Sequence, residues 1–514
     1  MKKVRKIDSG IERRMCVAAV ISTPFLQGVS QIWRPGLIKS PFVNAIMDWT
    51  LQYLKEYKKA PCDDINQLFE SNSSSMEDVD KTLVESFLQS ISNERKRVER
   101  MNVDYLLDET SRLLQKTSLQ KLHSNLGNAL VVGDSNSAAD LVRSWNKIEP
   151  PAREEVKPLS DHEAIARAFD NTHQSMFSLP GAVGSLINPH AVRGGFITFL
   201  GPEKRGKTWW LQEVTFRGLL ANCNVAFFNA GDMSPEEMII RQQTYLTGRS
   251  PHEEFCGPLI VPVIDCLRQQ NGSCRYPCGK GKKMDVPIDP DTKTIEPIEL
   301  IRAYQSGMEW TPCPNCKTCP KFKGSLWYKC RPAVKPLTWR QAALASKRFI
   351  KAIGGDRLRM ASYPTETLTL DMQESVLDRW ERKDGWIADI VVTDYLDICI
   401  AENTRQDLRH QENEKWAGAR RMSLRRHCLY VSASQATAAS YDALVIKMGH
   451  TGNDKRKNAH VTAMFGLNQT EEEKEAKIQK VNVVLARSRS FSVRAMSTVL
   501  QCLEMGRPCL GSYF

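Results

Sequence analysis

The sequence lacks any apolar run close to the roughly 18 residues that a transmembrane helix needs. No small-residue cleavage site follows the short apolar patch from Cys16 to Ile21, so a secretory signal peptide is not expected either. Acidic residues are outnumbered, since 59 Asp and Glu stand against 71 Lys and Arg, a net charge of +12. Such a balance favours a polyanionic partner. Charge alone does not separate nucleic acid from an anionic membrane.

Cysteines are scarce outside one segment. Eight of the fifteen lie between Cys256 and Cys330, and the other seven are scattered singly. This distribution is not that of a chain-wide disulfide framework, and it favours a metal site in a reducing cytoplasm.

A length of 514 residues allows two to four domains. Residues 1–147 carry two long stretches of helical periodicity around a polar, turn-prone segment, which predicts a small all-helical N-terminal domain. Residues 148–180 contain "EPPAREEVKPLS", a proline-rich linker that starts at Glu149, and continue into a short amphipathic helix carrying Ile165, Phe169 and Met176. That helix needs a surface to cover its apolar side.

Residues 181–514 alternate short β-branched or aromatic runs with helical stretches. The runs are "GFITFLG", "NVAFFNAGD", "ADIVVTDYLD", "CLYVSAS", "VTAMFGL" and "VNVVLARSRS". This alternation predicts an α/β domain with a mostly parallel sheet covered by helices. A Cys-rich insert at 256–335 interrupts the pattern and fits no such unit.

The segment "GPEKRGKT" satisfies the phosphate-loop pattern through Gly201, Gly206, Lys207 and Thr208. A strand pattern precedes it and a helix pattern follows, which is the context that the motif requires. The glycines allow backbone N–H groups to surround phosphates, with Arg205 inside the loop. Lys207 would reach the outer phosphate oxygens and Thr208 would hold Mg²⁺. We therefore expect a site for ATP and Mg²⁺.

A carboxylate is needed to help hold the metal ion. Asp394 ends the apolar run "IADIVVTD" and is the favoured candidate, because it would lie at the carboxyl edge of the sheet. Asp389, before the run, and Asp397, beyond it, are the alternatives. Two further polar residues follow strand patterns: Asp232, to orient or deprotonate water, and Gln435, to sense the outermost phosphate. Asp232 could instead be a helix cap.

The insert contains the spacing C-x₂-C-x₂-C, in which two residues between thiolates allow both to reach one tetrahedral Zn²⁺. One Cys₄ zinc site is predicted, and the leftover thiols could complete a second. An iron–sulfur cluster and plain reduced thiols are the alternatives. The insert could be a structural staple or could contact DNA through its basic and aromatic residues. The first set is Cys266, Cys274, Cys313 and Cys316. The second is Cys278, Cys319 and Cys330, with Cys256 as a possible fourth ligand.

Taken in order, these elements resemble the DnaB-like replicative helicases, which have a RecA-like ATPase motor. The resemblance covers most of the chain. "FFNAGDMSPEEMIIRQ" is similar to the family's strand-Glu-Met-Ser segment, with Asp232 at the position of the catalytic Glu, "VVTDYLD" resembles its Walker B strand, and "SASQ" its glutamine motif. Asp in place of Glu, and a bulky, charged phosphate loop, suggest a divergent, phage-type member. The resemblance implies a cytoplasmic location, in a bacterial host if the protein is phage-encoded.

The late segment "VNVVLARSRSFSVR" resembles the family strand whose basic pair reaches the ATP of the adjoining subunit. By this resemblance Arg489 is an arginine finger and Arg487 occupies the family's lysine position. Both could instead be solubilising charges at a sheet edge. The family also implies a homo-oligomeric ring, expected to be a hexamer, and a primase or helicase loader as partner.

In a RecA-like ring, the loops after the Walker B and glutamine strands line the central channel. Here these are residues 401–415 and 436–460, and DNA contacts to the phosphate backbone are expected there. The second loop supplies the candidates Lys447, Lys455, Arg456 and Lys457.

The function predicted from the sequence is an ATP-dependent helicase that translocates on single-stranded DNA and unwinds duplex at a replication fork. A RecA-type recombinase or annealing ATPase is the first alternative, against which the helical N-terminal domain argues. A zinc-containing DNA-binding helicase loader with a degenerate ATPase core is the second. The intact Lys207, Thr208 and Asp394 argue against it.

Overall fold

The chain divides into two compact units, Met1–Ala168 and Phe169–Phe514. A computed structural model describes residues 11–38, 40–73, 81–82, 84–88, 103–131, 175–275, 283–291, 293–314, 318–402, 407–441, 443–452, 455–487 and 491–514, with single or paired residues between 133 and 169. Most of the predicted linker and its helix, including the candidate contacts of that helix, lies outside the described residues.

The first unit is helical, as the sequence predicted. Serines begin two of its helices: the Ser22 and Ser40 side chains accept hydrogen bonds from the amides of Phe25 and Val43. A shared core of aliphatic and phenylalanine side chains holds the helices together. The helices are α1 (Ile11–Ile21), α2 (Thr23–Ile32), α3 (Pro41–Tyr57), α4 (Ile65–Asn72) and α5 (Val103–Val131).

No single helix in the described part of the chain is both long and apolar enough to cross a membrane. Among those same residues, α1 and α2 together have sufficient length and apolar composition, but they are bent by 119° at the break between them.

The second unit is built on a nine-stranded sheet in the order β11-β10-β9-β8-β1-β7-β6-β2-β5. Strands β5, β2, β6, β7, β1 and β8 run parallel, and β9, β10 and β11 extend the sheet in antiparallel fashion. The six predicted strands are present as β1, β2, β6, β7, β8 and β9, and the predicted α/β class with a mostly parallel sheet is confirmed. The strands are β1 (Phe196–Gly201), β2 (Val225–Asn229), β5 (Leu358–Ser362), β6 (Ile390–Asp394), β7 (Leu429–Gln435), β8 (Ala463–Asn468), β9 (Ile478–Ala486), β10 (Met496–Cys502) and β11 (Arg507–Tyr513).

Helices cover both faces of this sheet. The central strands are fully buried, because each face of the sheet packs against its own hydrophobic core. Phe199 and Trp210 belong to one core, and Phe196 and Trp416 to the other. The helices outside the insert are α6 (Gly181–Ile187), α7 (Lys207–Leu220), α8 (Pro235–Thr247), α11 (Trp339–Ala352), α12 (Leu370–Asp384), α13 (Leu408–Arg425) and α14 (Glu471–Glu475).

The Cys-rich insert forms an antiparallel hairpin of β3 (Leu259–Cys266) and β4 (Gly324–Arg331), with α9 (Leu267–Gln270) and α10 (Pro297–Gln305) between the two strands. Its apolar core includes the buried rings of Trp327 and Tyr328 and is shared with Ala476, Ile478 and Leu500 at the adjoining edge of the main sheet. The Tyr328 hydroxyl donates to the carbonyl of Ala476 at 2.8 Å, and so ties the hairpin to the segment before β9.

Candidate nucleotide site

The phosphate-loop sequence forms the turn between β1 and α7. Gly206 precedes the helix with φ of +78°, a left-handed conformation that glycine adopts without strain. The helix begins at Lys207, so the first amides of α7 point into the loop with no partner inside the helix. A loop of this kind at a helix N-terminus is a site for anionic phosphates.

The Lys207 ammonium lies inside the loop rather than in solvent. Its Nζ donates to the carbonyls of Gly201 (3.1 Å) and Pro202 (2.8 Å) and to Oε1 of Gln435 (3.2 Å). Burial lowers the pKa of Lys207, and the nearby carboxylates, Asp397 foremost, oppose that effect. A phosphate would supply negative charge close to this buried cation.

Thr208 and Asp394, the two candidate magnesium ligands, lie in contact with one another. Thr208 Oγ1 donates to Asp394 Oδ1 at 3.2 Å. Asp394 is fully buried, and its Oδ2 has no hydrogen-bond partner among the residues that the structure describes. Burial raises the pKa of this carboxyl to about 7, although the Thr208 hydrogen bond acts in the opposite direction. An unpaired carboxylate oxygen beside a hydroxyl fits Mg²⁺, which takes oxygen ligands.

The alternatives to Asp394 have other partners. Asp389, at the opposite end of β6, pairs with Arg193 at 2.6 Å and accepts from the Asn224 amide. Asp397 lies beyond the strand, and its Oδ2 accepts from Ser434 Oγ and from the Gln435 amide, both at 2.9 Å. The hydroxyl of Thr208 instead bonds to Asp394.

Asp232 follows β2 at the same edge of the sheet. Ser234, not Asp232, caps α8, in a capping box with Glu237, so the alternative interpretation of Asp232 as a helix cap is wrong. The carboxylate is exposed, and its charge raises the pKa of Asp394. Because it is exposed and close enough to Asp394 to affect its pKa, the Asp232 carboxylate is accessible to water at this edge of the sheet.

Arg241, on the second turn of α8, is a site residue that the sequence analysis missed. Its guanidinium lies 5.0 Å from the centre of the Trp209 ring. Burial lowers its pKa, and Asp394 and Asp232 are the largest opposing charges. The sequence gives little indication of this role, because Arg241 lies nine residues after Asp232 on a helix that carries no recognisable motif.

The arginines that the sequence suggested for nucleotide binding are not gathered around Lys207 and Asp394 in the described part of the chain. Arg205 is buried and pairs with Glu471 at 3.1 Å. Arg487 follows β9, where its amide donates to the carbonyl of Thr462 just before β8. It is therefore at the amino edge of the parallel strands, about 20 Å from the phosphate loop along a six-residue strand. Arg489 lies outside the described residues.

The basic residues predicted to bind DNA differ in exposure. Lys447, Lys455 and Arg456 are exposed. Lys457 is not, because it is fully buried and its Nζ lies 2.7 Å from Oδ1 of Asp397. The prediction that Lys457 contacts DNA is therefore wrong, since a buried, paired ammonium has no access to a phosphate backbone.

The cysteines of the insert are not gathered into a metal site within the described residues, where no three His, Cys, Asp or Glu side chains are placed to hold an ion. This includes Cys266, Cys274 and Cys313. Cys316 and Cys278 lie outside the described residues, so the complete Cys₄ set stays a prediction.

Of the second predicted set, Cys278 lies outside the described residues. Cys319 precedes β4, whereas Cys330 stands opposite Ile260 near its far end, six residues beyond Gly324. That is about 20 Å along a strand. β4 therefore separates Cys330 from the end of the strand that follows Cys319 in the chain, and the complete second set stays a prediction.

A carboxylate organises the base of the hairpin. The buried Asp265 accepts from Trp310 Nε1 (2.8 Å), Gln270 Nε2 (2.7 Å) and the amide of Cys313 (2.8 Å). Three donors satisfy the charge of a buried carboxylate. The described part of the insert thus has a polar anchor in addition to the apolar core that it shares with the main sheet.

No family model matches the sequence, and no curated protein matches it. Among solved structures, the chain is similar to one described as an ATPase domain, with 12% identity and a TM-score of 0.41 over 68% of this chain and 98% of that one. It is also similar to a DnaB-like replicative helicase described with its interactions with primase, with 10% identity and a TM-score of 0.44 over 96% of this chain and 98% of that one. The second match is to the family that the sequence motifs resemble. At these values function follows only from the residues of the site.

Proposed function

We propose that this protein is an ATP-hydrolysing DNA helicase that assembles into a ring, expected to be a hexamer, and unwinds forked duplex while moving on one strand. The observation that carries the proposal is the meeting of Lys207, Thr208, Asp394 and Gln435 at the carboxyl edge of the sheet, with one oxygen of Asp394 left without a partner in the described part of the chain. The order of motifs along the chain and the helical N-terminal unit support a helicase over other ATPases.

Each residue has a distinct part in hydrolysis. Thr208 and Asp394 would hold Mg²⁺, which neutralises charge on the phosphate oxygens. Lys207 stabilises negative charge that develops as the outermost phosphate leaves. Asp232 orients or deprotonates the attacking water, and Gln435, already bonded to Lys207, responds when a phosphate competes for the lysine.

The segments that follow β6 and β7, at the same edge of the sheet, would contact DNA. Lys447, Lys455 and Arg456 are exposed on the segment that follows Gln435. Such contacts would be to phosphates, so binding should be independent of sequence and should weaken steeply with salt. In this role the protein would act in the cytoplasm, with a primase or a helicase loader as partner.

Unwinding of a forked DNA duplex tests the proposal. Wild-type protein is expected to separate the strands with ATP and Mg²⁺ and to fail with a nonhydrolysable ATP analogue. Hydrolysis that DNA stimulates without strand separation would favour a strand-exchange or annealing ATPase. Absence of any ATP hydrolysis would refute the assignment as a motor.

Arg489→Ala is expected to act across subunits. An arginine supplied in trans accounts for about 10³ to 10⁵ in rate, so rings that contain defective neighbours should lose more activity than simple dilution predicts. The measurement is the hydrolysis rate of wild type mixed with increasing fractions of the variant. A linear decline would argue against a finger in trans and leave the edge-charge interpretation.

A further inference from the structure

Four largely buried charges, two of each sign, meet just beyond the ends of β6 and β7. The Lys457 ammonium lies 2.7 Å from Asp397 Oδ1 and 3.4 Å from Glu412 Oε2, and 5.2 Å from the centre of the Trp416 ring. The Lys415 ammonium lies 2.5 Å from Glu412 Oε1. The cluster, defined as Asp397, Glu412, Lys415 and Lys457, has no net charge.

The cluster is bonded to the candidate phosphate sensor. Asp397 Oδ2 accepts from the Gln435 amide and the Ser434 hydroxyl, both at 2.9 Å, while its Oδ1 holds Lys457. The Gln435 side chain in turn accepts from Lys207 at 3.2 Å. Three hydrogen bonds therefore connect the phosphate-loop lysine to a buried lysine 250 positions later in the chain, by way of Gln435 and Asp397.

The same cluster fixes both segments that leave this edge of the sheet. Lys457 lies near the end of the segment that follows β7. Lys415, on α13, donates to the carbonyls of Asp397 (2.9 Å) and Cys399 (2.8 Å), where the segment after β6 begins. A displacement of Gln435 would therefore displace Asp397, and through it both segments.

Buried charges make this connection stiff. Separating a buried ion pair leaves two charges without partners, which costs free energy. Asp397 and Lys457 are therefore expected to move together rather than apart. Apolar side chains of similar size would stabilise the fold as well, so stability alone does not account for a cluster at this place.

We infer that Asp397 is a positioning residue that couples the phosphate sensor Gln435 to the segment anchored by Lys457. The inference rests on the proposed function, because it concerns how DNA and the nucleotide affect one another in this ATPase. Asp397 acts through its two partners rather than by contact with the reacting atoms. It transmits the position of the Gln435 backbone to the segment that carries the exposed basic residues.

The test compares Asp397→Asn, Lys457→Met and the double variant. Each is assayed for ATP hydrolysis with and without single-stranded DNA, for KM for ATP, and for thermal unfolding. The single variants strand a buried charge and are expected to lower both stability and DNA stimulation. The double variant removes both charges, so its melting temperature should return close to wild type while its DNA stimulation stays at least about fivefold reduced. DNA stimulation is expressed relative to each variant's own hydrolysis without DNA, so a change in basal turnover or in KM is not counted as a loss of coupling.

Lys347→Met, on the exposed face of α11, is the matched control for loss of a lysine and should behave as wild type. Recovery of DNA stimulation together with the melting temperature in the double variant would overturn the inference and leave a purely structural ion pair. Wild type that hydrolyses ATP with no response to DNA would instead refute the proposed function, and the coupling with it. The two failures are thus told apart by the wild-type measurement.

Discussion

Lys207→Ala is expected to lower ATP hydrolysis by about 10³-fold and to abolish unwinding, while the protein remains folded. The Lys207 ammonium is a buried positive charge within the phosphate loop, and it bridges two loop carbonyls and Gln435. Removing one preorganised donor at a site of developing charge costs about 10² to 10³ in rate, and loss of the cation weakens nucleotide binding as well. The measurement is steady-state hydrolysis in the presence of DNA.

Lys204→Ala provides the matched control. Lys204 is in the same loop, three residues earlier, but its side chain is exposed. It should keep most of the activity, and both variants should show the same circular dichroism as wild type. Turnover by Lys207→Ala at a rate near that of Lys204→Ala would mean that the nucleotide is bound elsewhere.

Asp394→Asn is expected to abolish hydrolysis and, at the same time, to stabilise the metal-free protein at pH 8. Burial raises the pKa of the Asp394 carboxyl from 3.8 to about 7. That change corresponds to about 4 kcal/mol between the ionised and protonated forms. Asparagine carries no charge, so we expect a gain of about 2 to 4 kcal/mol in the free energy of unfolding.

The sign of the pH dependence follows from the raised pKa. Above pH 7 the carboxyl is ionised in both the folded and the unfolded chain, and burial of that charge destabilises the fold. As the pH falls below 7 the folded carboxyl takes up a proton and the cost is relieved, so stability from this group increases until about pH 4. The advantage of Asp394→Asn should therefore be largest at pH 8 and shrink towards pH 5, as measured by thermal unfolding with EDTA.

Asp389→Asn, at the other end of β6, is the control. That carboxylate is paired with Arg193, so its neutralisation should destabilise the protein at pH 8. If Asp394→Asn is also destabilising at pH 8, the buried carboxylate has a compensating partner, and the interpretation of the free oxygen as a metal ligand loses its basis.

Local patterns were enough to predict the centre of the fold. β1, β2 and β6 are mostly apolar runs because both faces of each strand are covered, and such runs are visible in sequence. β7 is buried in the same way, although it carries Ser432 and Ser434. The phosphate loop is likewise local, since all its residues lie between Gly201 and Thr208. Residues at the ends of parallel strands meet at one edge, and for this reason Asp394 and Gln435 could be placed beside the loop.

Contacts between distant positions could not be predicted in this way. The burial of Lys457 depends on Asp397, 60 residues earlier, and nothing near Lys457 distinguishes it from its exposed neighbours Lys455 and Arg456. β5 was missed because this edge strand is only half-buried and contains a charged residue. The hairpin of β3 and β4 was missed because its two strands are far apart in sequence, with the cysteine spacing as the more prominent pattern between them.

The placement of Arg487 at the amino edge of the parallel strands, opposite the phosphate loop, has a consequence for symmetry. If the basic pair at Arg487 and Arg489 serves a neighbour's nucleotide, each contact joins one face of a subunit to a different face of the next. Such a contact is heterologous, and a two-fold dimer, which pairs identical faces, cannot satisfy it. Repetition of this contact produces either a closed ring or an open helical filament, and the rotation per subunit alone decides between them.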